Sequence, residues 1–242
     1  MSTNEFSELQ AVDFALGAYI VGAFSGLNPA TGPKQWREFL TRENTKRIFR
    51  DDVDSPAEFL QRLSASGKTE TVQDGIKSRL PQLPLVYYYR KPGMTNGEGR
   101  NFPSRIVSTD DRTKIFELTA SPLSLDYHIV FAAWDKLSLD KMQLAWYQYV
   151  IRQSHFDVQY ELGGEALEVL AAVNDPKTIM FADASIPRTD GRLFAVDSTL
   201  TIDTSILFGA EVVPPAPPPS SVTIVGEWAG FSCEDPYAGC NG

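Results

Sequence analysis

Apolar and polar positions along the chain fall into two textures, helical before residue 80 and strand-rich after it. "FSELQAVDFALGAYIVGAF" places Phe6, Leu9, Val12, Phe14, Leu16 and Ile20 loosely at helical spacing, with Gly22 and Gly26 as interruptions. "TGPKQWREFLTRENTKRIFR" sets Trp36, Phe39 and Leu40 on one face behind Pro33, a residue suited to a first helical turn. In "DSPAEFLQRL", Ser55, Pro56 and Glu58 form a capping box, where hydroxyl and carboxylate satisfy free N–H groups at a helix start. Residues 1–80 therefore read as an N-terminal helical region.

From Pro84 the pattern becomes that of strands: "LVYYYR", a glycine-rich break "KPGMTNGEGRNF", then "SRIVS" and "TKIFELT". "LSLDYHIVFAAW" alternates Leu123, Leu125, Tyr127, Ile129 and Phe131 against Ser124, Asp126 and His128, which puts His128 on the less apolar side of a half-buried strand as a surface or interface hydrogen-bonder. Ser138 is the expected N-cap of a helix whose Leu139, Met142, Trp146, Tyr149 and Val150 form one buried stripe. Tyr147 and Ile151 lie off that stripe and widen it, so they are candidate interface residues for a second surface. "HFDVQYELGGEALEVLAAV" predicts a hairpin turning at Gly163-Gly164.

The closing run "LFAVDSTLTIDTSILF" keeps one parity over a length that would span about 50 Å, so it either bends near Ser198 or projects beyond its own domain. Beyond it, "VPPAPPPSS" is a stiff linker leading to "VTIVGEW", a strand-like piece in which Val222, Ile224 and Trp228 have apolar surface to bury on a neighbouring protein. The expected fold class is α+β, a mixed or antiparallel sheet with a long helix on one face. Its parts are the helical region 1–80, a core domain 81–209, a linker 210–221 and a tail 222–242.

Charge refines this picture. The formal net charge is -9, and no Lys or Arg follows Arg192 while Asp197, Asp203, Glu211, Glu227, Glu234 and Asp235 do. Such a balance disfavours a surface that grips duplex DNA, which needs clustered cations. Lys34, Arg37, Arg42, Lys46, Arg47 and Arg50 make the one basic cluster, the one place open to a nucleic-acid contact, though with Glu38 and Glu43 among them it reads first as a solvated helix face or a contact for an acidic neighbour. No apolar run is long enough to cross a bilayer, and the first residues carry acids where a secretory signal has basic ones, so a soluble, unexported protein without membrane contact is expected. Cys233 and Cys240 are the two cysteines, either free thiols on a tail or a disulfide within it or to a neighbouring subunit.

Chemistry is sparse. His128 and His155 are the two histidines, neither beside a nucleophile motif, and the sequence holds no GxSxG, HExxH, P-loop or EF-hand signature. No catalytic, cofactor or metal residue is assigned, and a non-enzymatic role is expected.

Three stretches carry a resemblance: "LTASPLSLDYHIVFAAW", with a Pro and a Tyr opening a strand of alternating apolars; "SLDKMQLAWYQYVIRQSHFDVQYEL", a long helix, an aromatic and a strand; and "LFAVDSTLTIDTSILFG", a closing strand ending on an aromatic and Gly. Together they resemble the tail terminator or neck proteins of contractile-tailed bacteriophages, over residues 83–209. The resemblance implies a structural virion protein, a hexameric ring at the head-proximal end of a tail that stops tube growth, steadies the sheath and joins the neck. Its partners would be copies of itself, tail tube and sheath proteins and neck connectors, with DNA passing nearby and not specifically bound. The alternatives are another virion ring, such as a head-completion or baseplate component, and a small-molecule-binding or enzymatic α+β domain lidded by "KPGMTNGEGRNF".

Overall fold

Two long strands, β8 (Ile115–Ala133) and β13 (Gly191–Glu211), organise the chain. They pair antiparallel without a break from Ala133↔Phe194 to Phe116↔Glu211. The computed structural model describes residues 4–6, 8–53, 55–65, 71–73, 76–78, 83–97, 102–108, 115–162, 165–188 and 191–211. These belong to one compact unit, in which the segments expected as a helical region and a core domain share one sheet.

The helices are α1 (Leu9–Phe24), α2 (Lys34–Thr41), α3 (Pro56–Ala65) and α4 (Lys136–Arg152). The remaining strands are β1 (Asn4–Phe6), β2 (Ile48–Arg50), β3 (Thr71–Gln73), β4 (Ile76–Ser78), β5 (Leu85–Arg90), β6 (Thr95–Asn96), β7 (Phe102–Ser108), β9 (His155–Leu162), β10 (Glu165–Val173), β11 (Met180–Asp183) and β12 (Ile186–Arg188). The main sheet runs β2-β5-β8-β13-β10-β9, with β6 and β7 also on β8, and β1, β11 and β12 also on β13; β3 and β4 pair separately. Only β2 on β5 is parallel in the main sheet, so the fold is α+β with a mixed, predominantly antiparallel sheet.

Strand alternation separates two cores. Tyr127, Ile129 and Phe131 of β8 face α1, α2 and α4 together with Val86, Tyr88, Ile202 and Val158. Val130 and Ala132 face the other way with Tyr87, Tyr89, Ala195 and the α3 residues Phe59, Leu60 and Leu63. β8 is continuous through Pro122, which the sequence reading had placed at a strand's start. An antiparallel residue points its N–H and C=O to the same side, and the Pro122 carbonyl accepts from Gly97 N–H. The missing N–H therefore falls where β8 passes from its β7 partner to its β6 partner, not in the ladder to β13.

α4 starts three residues earlier than expected. Asp135 is its N-cap, accepting from the Ser138 N–H at 2.7 Å, while Ser138 itself is buried one turn in. Leu139, Met142, Trp146 and Val150 are buried as predicted, whereas Tyr149 of the expected stripe is only half-buried, and the Trp146 indole N–H donates to Ser198 Oγ at 3.2 Å. The β9–β10 hairpin pairs Leu162 with Glu165, and the expected turn residues Gly163-Gly164 lie outside the described residues.

α1 also outruns its prediction. Gly22 does not interrupt it: the helix continues to Phe24, and Gly26, at φ 72°, lies in the left-handed region just past the C-cap. Gly17 and Gly22 are instead sites of close approach, because a Cβ at either would collide with the hydroxyl of Tyr88 or Tyr149. Tyr19 and Ile20 are buried, but Phe14, expected on the inner face, is exposed.

The two faces of α4 give a direct check. Trp146→Ala should cost about 3–5 kcal/mol in chemical denaturation, as truncation of a fully buried aromatic does, whereas Tyr147→Ala should change monomer stability by under about 1 kcal/mol. Equal costs would show that the faces are misassigned.

Candidate functional site

Asp13 is the one acidic residue on the inner face of α1, and its side chain is 2 % exposed. Burying a carboxylate among apolar side chains is unfavourable by several kcal/mol unless it is paired and hydrogen-bonded. Three elements supply the partners. Arg50 at the end of β2 places Nη2 2.6 Å from Oδ2, Arg90 at the end of β5 places Nε 3.2 Å from Oδ1, and the Tyr127 hydroxyl of β8 donates to Oδ1 at 2.6 Å. The Tyr88 hydroxyl donates to the Asp13 backbone carbonyl at 3.1 Å. One acid thus ties α1 to three strands.

This knot forms one wall of an open cleft of about 790 Å³, lined also by Asp52, Tyr89, Lys91, Pro92, His128 and Asp197. Alternation along β5 and β8 puts Tyr89 and His128 on the opposite face of the sheet from Arg90 and Tyr127. There the His128 ring stacks on Tyr89, 4.9 Å between centroids and 6° from parallel, and its Nδ1 lies 2.5 Å from Asp197 Oδ2. His128 is a hydrogen-bonder as expected, but on a covered face and not at the surface. Its face of the sheet is covered too, because "LVYYYR" contributes Tyr87 and Tyr89 to the second core. The Nε2 atom, which would have to meet a substrate in acid–base catalysis, is buried without a hydrogen-bond partner, as is Asp197 Oδ1. In this arrangement the pair orients the ring and does not present it. His155 is exposed, with Nδ1 2.9 Å from Ser154 Oγ.

Two of the six cations in the basic cluster, Arg42 and Arg47, turn inward, while Lys34, Arg37, Lys46 and, in part, Arg50 are exposed. Arg47 is buried, its guanidinium donating to Asn44 Oδ1 and to the Phe39 and Leu40 carbonyls, and Arg42 donates to the Pro84 carbonyl at 2.9 Å. Burial pushes the Arg42 guanidinium down to about 10. Arg50 belongs to the Asp13 knot, while Lys34 and Lys46 sit near Glu38 and Glu43 on the surface. The Pro84 carbonyl and the Asp13 carboxylate, which take up Arg42 and Arg50, come from other parts of the chain, whereas Lys34, Lys46 and Arg47 meet groups within eight residues.

A second feature is apolar. Leu137, Leu144, Tyr147 and Ile151 recur at seven, three and four residues along the outer side of α4, opposite the buried stripe, and all are exposed. Tyr147 and Ile151 were expected there, and their exposures are 39 % and 45 %. Phe181 of β11 extends the ridge, its ring 6.4 Å from that of Tyr147, and Met180 beside it is 71 % exposed. The other expected interface residues, Val222, Ile224 and Trp228, and both cysteines, Cys233 and Cys240, lie outside the described residues.

Among the described residues no group of three or more His, Cys, Asp or Glu side chains could hold a metal ion, and no helix is long and apolar enough to cross a membrane. No family model matches the chain, and no curated protein matches it.

Asp13→Asn would leave two guanidiniums sharing a neutral amide, and it should destabilise the fold by about 2–4 kcal/mol, near the range for breaking a buried ion pair because the arginines keep some water. Denaturant midpoints of the variant and the parent chain measure this.

Alkali should act through the buried phenols. Burial, and for Tyr127 also its bond to Asp13, raises the folded pKa values of Tyr19, Tyr88 and Tyr127 above the ordinary 10.0. A phenol that stays protonated in the fold contributes its full share below the unfolded pKa and loses it as pH climbs through the folded value. Stability should therefore fall as pH rises above 10, with phenolate absorbance appearing together with unfolding; phenolate signal from these residues in a folded chain would contradict the burial.

Proposed function

We propose that this chain is a structural protein of a phage particle, a ring subunit at the head-proximal end of the tail, where it ends the tube and sheath and joins the neck. The apolar ridge of α4 and β11 carries the reading. A single folded unit rarely leaves Leu144, Tyr147, Ile151 and Met180 together in water without a partner for them. Closed rings need heterologous contacts, in which one surface of each copy meets a different surface of the next. A rigid helix face supported from behind by Trp146 is a stable element for such a contact. Among the described residues the edge strand β9 pairs only with β10, which offers a second kind of contact by strand addition.

The role is non-catalytic in this proposal, consistent with the covered Nε2 of His128. Partners are other copies of the chain, tube and sheath proteins and neck connectors. The net charge of -9 suits a position near passing DNA that is not gripped. Another virion ring, at the head or the baseplate, would use the same ridge.

Size-exclusion chromatography with light scattering should find a multi-copy ring, and Leu144→Glu combined with Tyr147→Glu should give a folded monomer with the parent's circular dichroism and melting temperature. Antibody labelling of particles should decorate the head–tail junction; label at the distal end would move the protein to the baseplate. A parent chain that is monomeric and absent from particles would overturn the proposal.

A further inference from the structure

The Asp13 knot leaves cationic groups unused. Arg50 meets the carboxylate through Nη2 and Arg90 through Nε, so one negative charge serves two positive ones, held close enough to repel each other. The other guanidinium nitrogens, Nε and Nη1 of Arg50 and both Nη atoms of Arg90, have no acceptor among the described residues. Both side chains are part-buried, at 35 % and 25 % exposure. Charges in that setting interact more strongly than in bulk water. Lys91 follows directly, exposed and without an ion pair among the described residues, its backbone N–H fixed to the Asp126 carbonyl at 2.9 Å.

We propose that this cleft binds an oxyanion, a phosphate or carboxylate group of a small molecule or a partner, on the open edges of Arg50 and Arg90, with Lys91 adding charge from the other side of the cleft. Three features prepare the site. Asp13 fixes both guanidiniums before any ligand arrives, which lowers the entropy lost on binding. The Phe14 ring lies 5.8 Å from the Arg50 guanidinium carbon, holding one face by a cation–π contact and leaving the N–H edges free. That contact also accounts for an exposed phenylalanine at this end of α1. The volume, about 790 Å³, lies within the range of small-ligand sites.

The remaining charges set the strength. Asp52 and Asp197 line the same cleft and oppose an anion, Asp197 from the His128 side of the sheet and with one oxygen committed to that ring. An anion seated between the arginines would relieve their mutual repulsion and complete an alternating cluster with Asp13. Binding of modest affinity and steep salt dependence follows. The inference does not depend on the ring reading, since the site lies on α1, β2 and β5 and uses no residue of the α4 ridge.

Calorimetric titration of the full chain with inorganic phosphate, and separately with succinate, at ionic strength held constant with sodium chloride, tests the site. Saturable one-to-one binding of at least one of them is expected; phosphate alone assigns a phosphate ligand, succinate alone a carboxylate. Lys91→Met, which touches no part of the knot, should fold normally and weaken binding about threefold, the effect of removing one nearby positive charge. Arg90→Gln should weaken it further, with its melting temperature measured alongside to separate lost binding from lost folding. No saturable binding of either anion, or equal affinities in the parent and Lys91→Met, would overturn the proposal.

Discussion

The β8–β13 ladder is the constraint on which the rest of the structure depends. Each strand is about twenty residues long, and at roughly 3.3 Å per residue the pair would extend over more than about 60 Å if straight. The other strands of the main sheet are added to one of these two or to a strand already paired with them. Because side chains alternate, the register of this one pairing decides which residues of both strands reach the helices and which reach α3. A slip of one position would exchange Tyr127 for His128 on the helix side, and Asp13 would then lose a hydrogen-bond donor.

Asp13 is the second organising contact. α1 is otherwise a nearly uniform apolar helix, and apolar packing alone specifies its rotation about its own axis weakly. A buried carboxylate that must meet Arg50, Arg90 and Tyr127 together admits one rotation. Gly17 and Gly22 then let α1 approach close enough for Tyr88 and Tyr149 to pack against it. The same residues that orient the helix build the cationic wall of the cleft, so the candidate site is an outcome of how α1 is locked to the sheet.

α4 connects the interior with the proposed assembly role. Its inner stripe is consumed by the larger core and anchored by the Trp146–Ser198 hydrogen bond, while its outer stripe is exposed with Phe181 of β11 beside it. A helix held this firmly on one side presents the other as a rigid surface, which reduces the ordering cost of association.

Residue pattern alone determined the α+β class, the buried stripe of α4, the β9–β10 hairpin and the outward position of Tyr147 and Ile151, because each follows from a period of two or 3.6 within one segment. The tertiary structure decided what short-range periodicity cannot encode. β2 is three residues of a basic run, and it becomes a strand only because β5 offers it an edge. Arg42 and Arg50 look like parts of a surface patch until the Pro84 carbonyl and the Asp13 carboxylate, 42 and 37 positions away, take them up. His128 reads as a surface or interface residue because alternation reports which face a side chain is on, not whether that face is covered; Tyr89 and Asp197, thirty-nine and sixty-nine positions away, cover it. Asp13 stood in the sequence as one acid on an apolar stripe, a visible local conflict. Its partners lie 37, 77 and 114 positions away, and only the folded chain brings them to it.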